Sequence, residues 1–383
     1  MMVMLSSILL IVSTVVVVVL AFRLAVTLKR YAAPDVPPLP HDLPSVSVCI
    51  AARNETHALA QCLERVLRSD YPKLEILVFD DSSSDDTSLI IKSFAGAGVR
   101  FIAGKALPDG WLGKNHAYQT LIDEASGDCV VFLDVDTTIR TTTISQLVAI
   151  MYESGSAMLS VLPRREDSHR TSAILGTMRY VWELLLGTRV SPPAASALWM
   201  AEKAALQADG VGLRHYGSSV RPERHLARRL HRIGKYRYII GTQSLGVGFE
   251  KHLNSQQHTA VRLYYPMSGR SVVGLLAASS FLFFLSVPLL HLIAVLFTAI
   301  EDLHLTWSVL LIIFIHVLMT IIAVRTYGRV GRPVRTLVWP LVIVHEFILL
   351  IGSFIAYGAG NVSWKGRSVH VGPHRPDALS IDD

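Results

Sequence analysis

Charge is what this 383-residue chain has little of: charged residues make up 17%, against about 25% in ordinary globular proteins, while hydrophobic residues reach 51%. The deficit places part of the chain in lipid, and so much apolar surface excludes disorder as the general state. Cysteine is scarce as well. Cys49, Cys62 and Cys129 share no short spacing, which excludes a disulfide scaffold and a zinc ribbon; they read as packing residues in a reducing compartment. A net charge of +6 is modest for a nucleic-acid binder, and no nucleic-acid-binding motif accompanies it. The excess suits anionic lipid better, so a membrane partner is expected and a nucleic-acid partner is not.

The apolar residues gather at the two ends. Met1 to Ala21 carries no charge, about the length that spans a bilayer, and Arg23, Lys29 and Arg30 come directly after it. No basic residue precedes the run and no small-residue cleavage site succeeds it, so it reads as an uncleaved anchor rather than a signal peptide. The basic flank places the middle of the chain in the cytoplasm. Three more apolar stretches run from Val272 to Ala299, Leu305 to Val324 and Leu337 to Ala356. The acidic connection after the first (Glu301, Asp302) and the basic one after the second (Arg325, Arg329, Arg332, Arg335) agree with a cytoplasmic middle. The tail does not. Three crossings would put Lys365, Arg367 and Arg375 outside; either the tail tolerates this or the third stretch, with Pro340 and His345-Glu346, is re-entrant.

Between the ends, five prolines in Ala32 to Pro44 form a stiff linker. Short apolar strands then alternate with helical spacing: strands at Ser45 to Ala52, Leu74 to Phe79, Val99 to Ile102 and Cys129 to Leu133, helices at His57 to Ser69 and Thr87 to Ala95. The alternation predicts an α/β fold with a parallel, doubly wound sheet, whose ligands sit at the carboxyl ends of the strands. Those ends carry Asp80-Asp81 and Asp134-Val135-Asp136. Two aspartates two residues apart past a buried strand offer hard oxygen ligands to Mg²⁺ or Mn²⁺, which neutralises charge on a departing diphosphate. Asp85 or Asp86 caps the next helix.

Together these pieces resemble the family 2 glycosyltransferases, inverting, metal-dependent, nucleotide-sugar enzymes of the Rossmann-like GT-A fold. Ala51-Ala-Arg53-Asn-Glu55 resembles their first-strand motif, with Ala51 where proline is commoner. Phe79-Asp80-Asp81-Ser-Ser-Ser-Asp85 resembles the segment that holds base and ribose, and Asp134-Val-Asp136 the metal motif. The resemblance covers residues 45–248. Asp109-Gly-Trp-Leu-Gly113-Lys114-Asn-His-Ala117, the layout of anchor, domain and anchor, and Trp364-Lys-Gly-Arg367 narrow it to the membrane-bound branch with diaponeurosporenoate (carotenoid) glucosyltransferases and hopanoid-associated glycosyltransferases.

The resemblance implies a GT-A domain at 45–270, an anchor at 1–27, a linker at 28–44, a transmembrane region of about three helices at 271–358 and a tail at 359–383. It also implies a UDP-sugar donor, a lipid-soluble acceptor such as a carotenoid or hopanoid, and catalysis on the cytoplasmic face of a bacterial-type cell membrane. Asp134 and Asp136 would hold the metal and diphosphate; Ala51, Arg53, Glu55, Asp80 and Asp81 line the nucleoside side; Gly113-Lys114 approaches the diphosphate, and Arg262 could reach it. Trp111 is either a core residue or a sugar platform, and His116 packs or caps locally or else touches ligand. Inversion needs a base near the acceptor oxygen. Glu223 is the candidate, as the only carboxylate between Asp209 and Gly234, although the family's paired acidic motif is absent; the bland alternative is a surface glutamate paired with Arg224 or Arg228. A carboxylate acceptor would need a weaker base. The basic run Arg221 to Arg237 is either a solvated helix face or a headgroup contact. The late Gln-x-x-Arg-Trp motif is missing from Gln256 to Tyr264, which favours one transfer per acceptor over polymer synthesis. The competing reading is a non-catalytic membrane scaffold on the same fold.

Overall fold

A computed structural model describes residues 2–166, 172, 175–185, 187–188, 191–208, 213–295, 302–327, 336–365 and 367–368. Asp209, Glu301, Arg329, Arg332, Arg335 and Arg375 lie outside the described residues.

The strands are β1 (Val46–Ala52), β2 (Leu74–Asp80), β3 (Val99–Ala103), β4 (Cys129–Leu133), β5 (Thr137–Thr138), β6 (Met158–Leu162), β7 (Arg164–Arg165), β8 (Leu198–Glu202), β9 (Tyr236–Ile240), β10 (Gly248–Phe249), β11 (Ser363–Trp364) and β12 (Arg367–Ser368). The helices of the α/β part are α2 (Leu59–Leu67), α3 (Thr87–Ser93), α4 (Gly113–Glu124), α5 (Thr143–Glu153), α6 (Thr177–Leu185), α7 (Lys203–Gln207), α8 (Pro222–Arg232) and α9 (Leu253–Met267). Among the described residues there are also four long apolar helices: α1 (Met2–Arg30), α10 (Val272–Val295), α11 (Asp302–Thr326) and α12 (Trp339–Gly358). All four are long and apolar enough to cross a membrane.

The main sheet has seven strands in the order β3-β2-β1-β4-β8-β6-β9. β1 to β4 are parallel, as the alternation of strands and helices predicts. β8 corrects that expectation: it is antiparallel to both β4 and β6, so the sheet is mixed. Its direction is set by its entry point. Ala197, just before β8, accepts a hydrogen bond from the Asp134 amide at 2.9 Å, so the chain enters at the carboxyl end of β4 and must run back.

Alternation along each strand divides the core in two. Val48, Ile50, Val131 and Leu133 meet Leu59, Leu63 and Val66 of α2 on one face. Cys49, Phe79, Val130 and Phe132 meet Tyr118, Leu121 and Trp199 on the other. Phe132 stacks on Trp199 with ring centres 4.1 Å apart. All three cysteines are buried and unpaired with one another, and burial pushes the Cys62 thiol up to about 12 and the Cys129 thiol to about 11, which keeps them unreactive. A small sheet, β5-β10-β7, crosses the carboxyl end of the large one and carries the start of α9 toward Asp136.

Candidate active site

The site forms where β1, β2 and β4 end. β1 runs into Asn54, whose φ of 52° is a left-handed conformation that asparagine tolerates better than most residues; Ser82 after β2 has a φ of 54°. The two turns are tied together. Asn54 Oδ1 accepts from the Ser84 amide at 2.9 Å, and the Asn54 amide donates to Ser83 Oγ at 3.0 Å. Asp80 is buried and accepts from the Ser83 amide at 3.1 Å and from the Ser88 hydroxyl. Asp81 is buried too, its amide donating to the Ala52 carbonyl at 2.8 Å. Gly104 donates to the Asp80 carbonyl at 2.8 Å, an approach so close that a Cβ at Gly104 would stand 2.4 Å from that oxygen. Asp85, rather than Asp86, supplies the cap of α3: its carboxylate accepts from the Thr87 amide at 3.1 Å and from the Thr56 hydroxyl.

One carboxylate from each of two turns meets an imidazole. Ligand atoms of Glu55, His57 and Asp136 lie within 4.8 Å of one another. Two carboxylates and one imidazole suit Mn²⁺ well and Mg²⁺ acceptably, so the residues fit the expected divalent ion. The membership differs from the sequence expectation. Glu55, expected on the nucleoside side, stands in this group, whereas Asp134 is turned to Lys114, 2.6 Å away. Burial disfavours the charged form of Glu55 and Asp136 adds repulsion; Lys365 opposes both, and the net effect raises the carboxyl above its ordinary value. Asp136 is itself paired with Lys251 at 3.3 Å, and the Asp136 carbonyl accepts from the Glu250 amide at 3.1 Å. His57, Gln61, Asp136, Glu250, Lys251 and His252 bound a cleft over this cluster.

Gly113 and Lys114 open α4, and the lysine also lies 5.2 Å from the Tyr118 ring centre. Burial works against its charge, but Asp134 and Tyr118 outweigh that and raise its pKa. The same lysine favours the ionised form of Glu223, which puts this carboxylate in electrical reach of the Asp134 turn. Glu223, in the first turn of α8, is 1% exposed, so the surface alternative does not hold. Its partner is Arg221 at 3.3 Å, not Arg224 or Arg228, and Arg221 also grips Glu183 of α6 at 2.7 Å. Burial raises the Glu223 carboxyl despite Arg221 and Lys114. Arg224 and Arg228 both donate to Ser191, at 3.2 and 3.0 Å, so the basic run is partly turned inward.

Trp111 packs on Gly217 and, edge to face, near His116, as expected of local packing. Arg262 sits in α9 beside α12, where Tyr357 donates to its carbonyl at 2.7 Å. That is nine residues past Leu253, about 14 Å along the helix, away from Asp136. The tail arrives instead. Lys365 donates to the Arg53 carbonyl at 2.8 Å and to Glu55, and Arg53 Nε returns a bond to the Lys365 carbonyl at 3.0 Å. Arg53 also holds the Asp81 carbonyl.

Sequence reasoning passed over His57, Lys251, Glu183 and Lys365 as site residues. A signal existed for His57, two positions after Glu55, and for Lys365 within the tail motif; Lys251 and Glu183 carry none.

Residues 47–192 match the model of glycosyl transferase family 2. A probable glycosyltransferase, YdaM, of Bacillus subtilis is 36% identical over 25% of this chain and 24% of its own. A 4,4'-diaponeurosporenoate glycosyltransferase of Staphylococcus aureus is 30% identical over 31% of this chain and 32% of its own. The chain thus aligns with only about a quarter to a third of these relatives' length. In overall shape it is similar to the mannosyltransferase PcManGT from Pyrobaculum calidifontis, solved with GDP-Man and Mn²⁺: TM-score 0.55, 18% identity, covering 93% of this chain and 98% of that one.

Proposed function

We propose, from the premise that residues 47–192 are a glycosyl transferase family 2 domain, that this protein is a membrane-anchored, inverting glycosyltransferase. It would move one sugar from a UDP-sugar to a lipid-soluble acceptor, at the cytoplasmic face of the membrane. The observation that carries the reading is the convergence, at one end of the sheet, of the Glu55, His57 and Asp136 group, the Lys114–Asp134 pair and the buried Glu223. The lipid acceptor is supported by the four long apolar helices joined to that domain and by the acceptor named for the S. aureus relative.

Each residue has a task in this scheme. Glu55, His57 and Asp136 would hold the divalent ion, which when bound supplies positive charge to the leaving diphosphate. Lys114, steered by Asp134, adds a second cation beside the diphosphate. Asp80, Asp81 and Arg53 shape the nucleoside pocket through the tied turns. Glu223 would take the proton from the acceptor hydroxyl as that oxygen attacks the anomeric carbon from the face opposite the departing UDP, which inverts the centre. Its raised pKa makes it a stronger base than an ordinary glutamate, while Arg221 keeps it oriented. Tethering to the bilayer raises the local concentration of a membrane-dissolved acceptor.

The test uses the full-length protein in lipid nanodiscs with Mn²⁺, radiolabelled UDP-hexoses and polyisoprenoid lipid acceptors. Metal-dependent transfer is expected, with Asp136→Ala lowering it at least a hundredfold while the protein stays folded. Absence of both transfer and hydrolysis with every common nucleotide sugar would sink the proposal.

A further inference from the structure

Three of the long helices share one arrangement. In α1, α10 and α11, one end touches the α/β domain: the Tyr31 carbonyl accepts from Ile240 at 2.8 Å, α10 begins five residues after α9 ends, and Arg164 donates to the Tyr327 carbonyl at 2.7 Å. Their other ends meet one another away from the domain, through Ser7 with His304 at 2.9 Å and His291 with Ser308 at 2.8 Å. With 24 to 29 residues each they extend about 36–44 Å, enough to cross the hydrocarbon core.

α12 is built differently. It runs beside α9 in the same direction, pairing His345 with Gln257 near its start and Ser353 and Tyr357 with Tyr265 and Arg262 near its end. α9 carries Gln256, Gln257, His258 and Arg262 and is no membrane span. One residue after His345, the buried Glu346 accepts from Trp182 of α6 at 3.0 Å and from Tyr264 of α9 at 2.6 Å. A carboxylate bonded on two sides ties the first half of α12 to α6 and α9. The end is fixed as well. Only seven residues separate Gly358 from Lys365, a reach of about 25 Å at full extension, and Lys365 is bonded to Arg53 and Glu55. A bilayer with its headgroups is about 40–45 Å thick. A tail of that length cannot return across it.

We infer that α12 does not cross the membrane. It lies in the leaflet on the domain's side, with one face on α9 and α6 and the opposite stripe, Leu341, Val344, Ile348, Ile351 and Ile355, each 49–64% exposed, seated in lipid. The lipid contact continues the exposed apolar start of α10 at Val272, Val273 and Leu276. The described helices then make three crossings: the start of α1 lies on the far side, and the tail as far as Lys365 on the same side as the α/β domain. Lys365 and Arg367 consequently stand on the domain's side of the membrane, which removes the clash between a basic tail and a far-side location. The inference rests on connectivity and contacts, not on the proposed reaction.

Single cysteines in the full chain test it. Cys49, Cys62 and Cys129 are buried and give little background. Leu337→Cys and Asn361→Cys flank α12, Glu153→Cys marks the exposed surface of the domain, and Met4→Cys marks the amino end. Sealed vesicles of both orientations are treated with a membrane-impermeant maleimide. Leu337→Cys and Asn361→Cys should label only in the orientation that labels Glu153→Cys, and Met4→Cys only in the other. Labelling of Asn361→Cys together with Met4→Cys would overturn the inference. If a cysteine variant fails to accumulate, protease accessibility of a tag fused to the native carboxyl end decides in the same way. Because Glu153→Cys serves as the internal reference, the outcome does not depend on which compartment holds the domain or on activity.

Discussion

Glu223→Gln separates the chemistry from the fold at one atom. Arg221 bonds both Glu223 (3.3 Å) and Glu183 (2.7 Å), so the amide variant leaves the guanidinium with its closer partner and keeps the shape of the side chain. Burial already disfavours the charged form of Glu223, so neutralising it should change stability by no more than about 1 kcal/mol, a shift of roughly 2–4 °C in Tm. Arg221→Met is the contrast: it strands the buried Glu223 and the half-buried Glu183 and should cost about 3 kcal/mol. Loss of a general base removes about 10²–10⁴-fold in rate, or roughly 2.7–5.5 kcal/mol of barrier. Glu223→Gln should therefore lower kcat by that factor with the donor KM little changed, measured by radiolabelled sugar transfer in nanodiscs. The pH profile adds a second readout. A base whose pKa is raised above 4.5 loses its active form as pH falls through that raised value, so the acid limb of native kcat/KM should lie above the ordinary glutamate range and vanish in the variant. Stability runs the other way: a raised carboxyl contributes most below 4.5, and the contribution is lost as pH rises through the folded value. Native-like turnover with an unchanged acid limb in Glu223→Gln would refute the assignment of the base.

Lys365→Met removes the cation shared by Glu55 and the Arg53 carbonyl; the donor KM should rise about tenfold, near 1.4 kcal/mol, in a UDP-sugar titration, whereas tighter donor binding would mean that Lys365 occupies the donor's place. Asp85→Ala removes the cap of α3 and should cost about 1 kcal/mol at neutral pH in denaturant unfolding. Despite some desolvation, hydrogen bonds from Thr56 and Thr87 hold the Asp85 carboxyl down at about 2, so its contribution is present above the ordinary 3.8 and is lost as pH falls toward 2. The native-minus-variant difference should therefore shrink below pH 4.

Local pattern carried the strands that matter most. β1, β2 and β4 are short β-former runs closed by polar turns, and their bounds in the fold differ from the pattern by a residue or so. Strand direction is another matter: Leu198 to Glu202 has no periodicity that distinguishes parallel from antiparallel, and β8 took its direction from where the chain re-enters the sheet. The candidate metal group shows the same division. The spacing Asp-x-Asp pointed to Asp134 and Asp136, but which carboxylates stand together depends on how the turns after β1 and β4 face each other, and that brings Glu55 and His57 to Asp136 while Lys114 holds Asp134 aside. Contacts between distant segments, Glu183 with Arg221 or Lys365 with Glu55, leave no trace in periodicity because each partner looks like an ordinary surface residue where it stands.

The bond between Lys365 and Glu55 spans 310 residues. Translation is vectorial, so a nascent chain that has already folded its sheet still lacks this side of the candidate site until all four long helices have emerged and the bundle is in place. In the proposed scheme nucleotide-sugar affinity thus becomes a check on completeness: a chain cut between Phe249 and Lys365 would keep every strand of both larger sheets but lack the cation that meets Glu55.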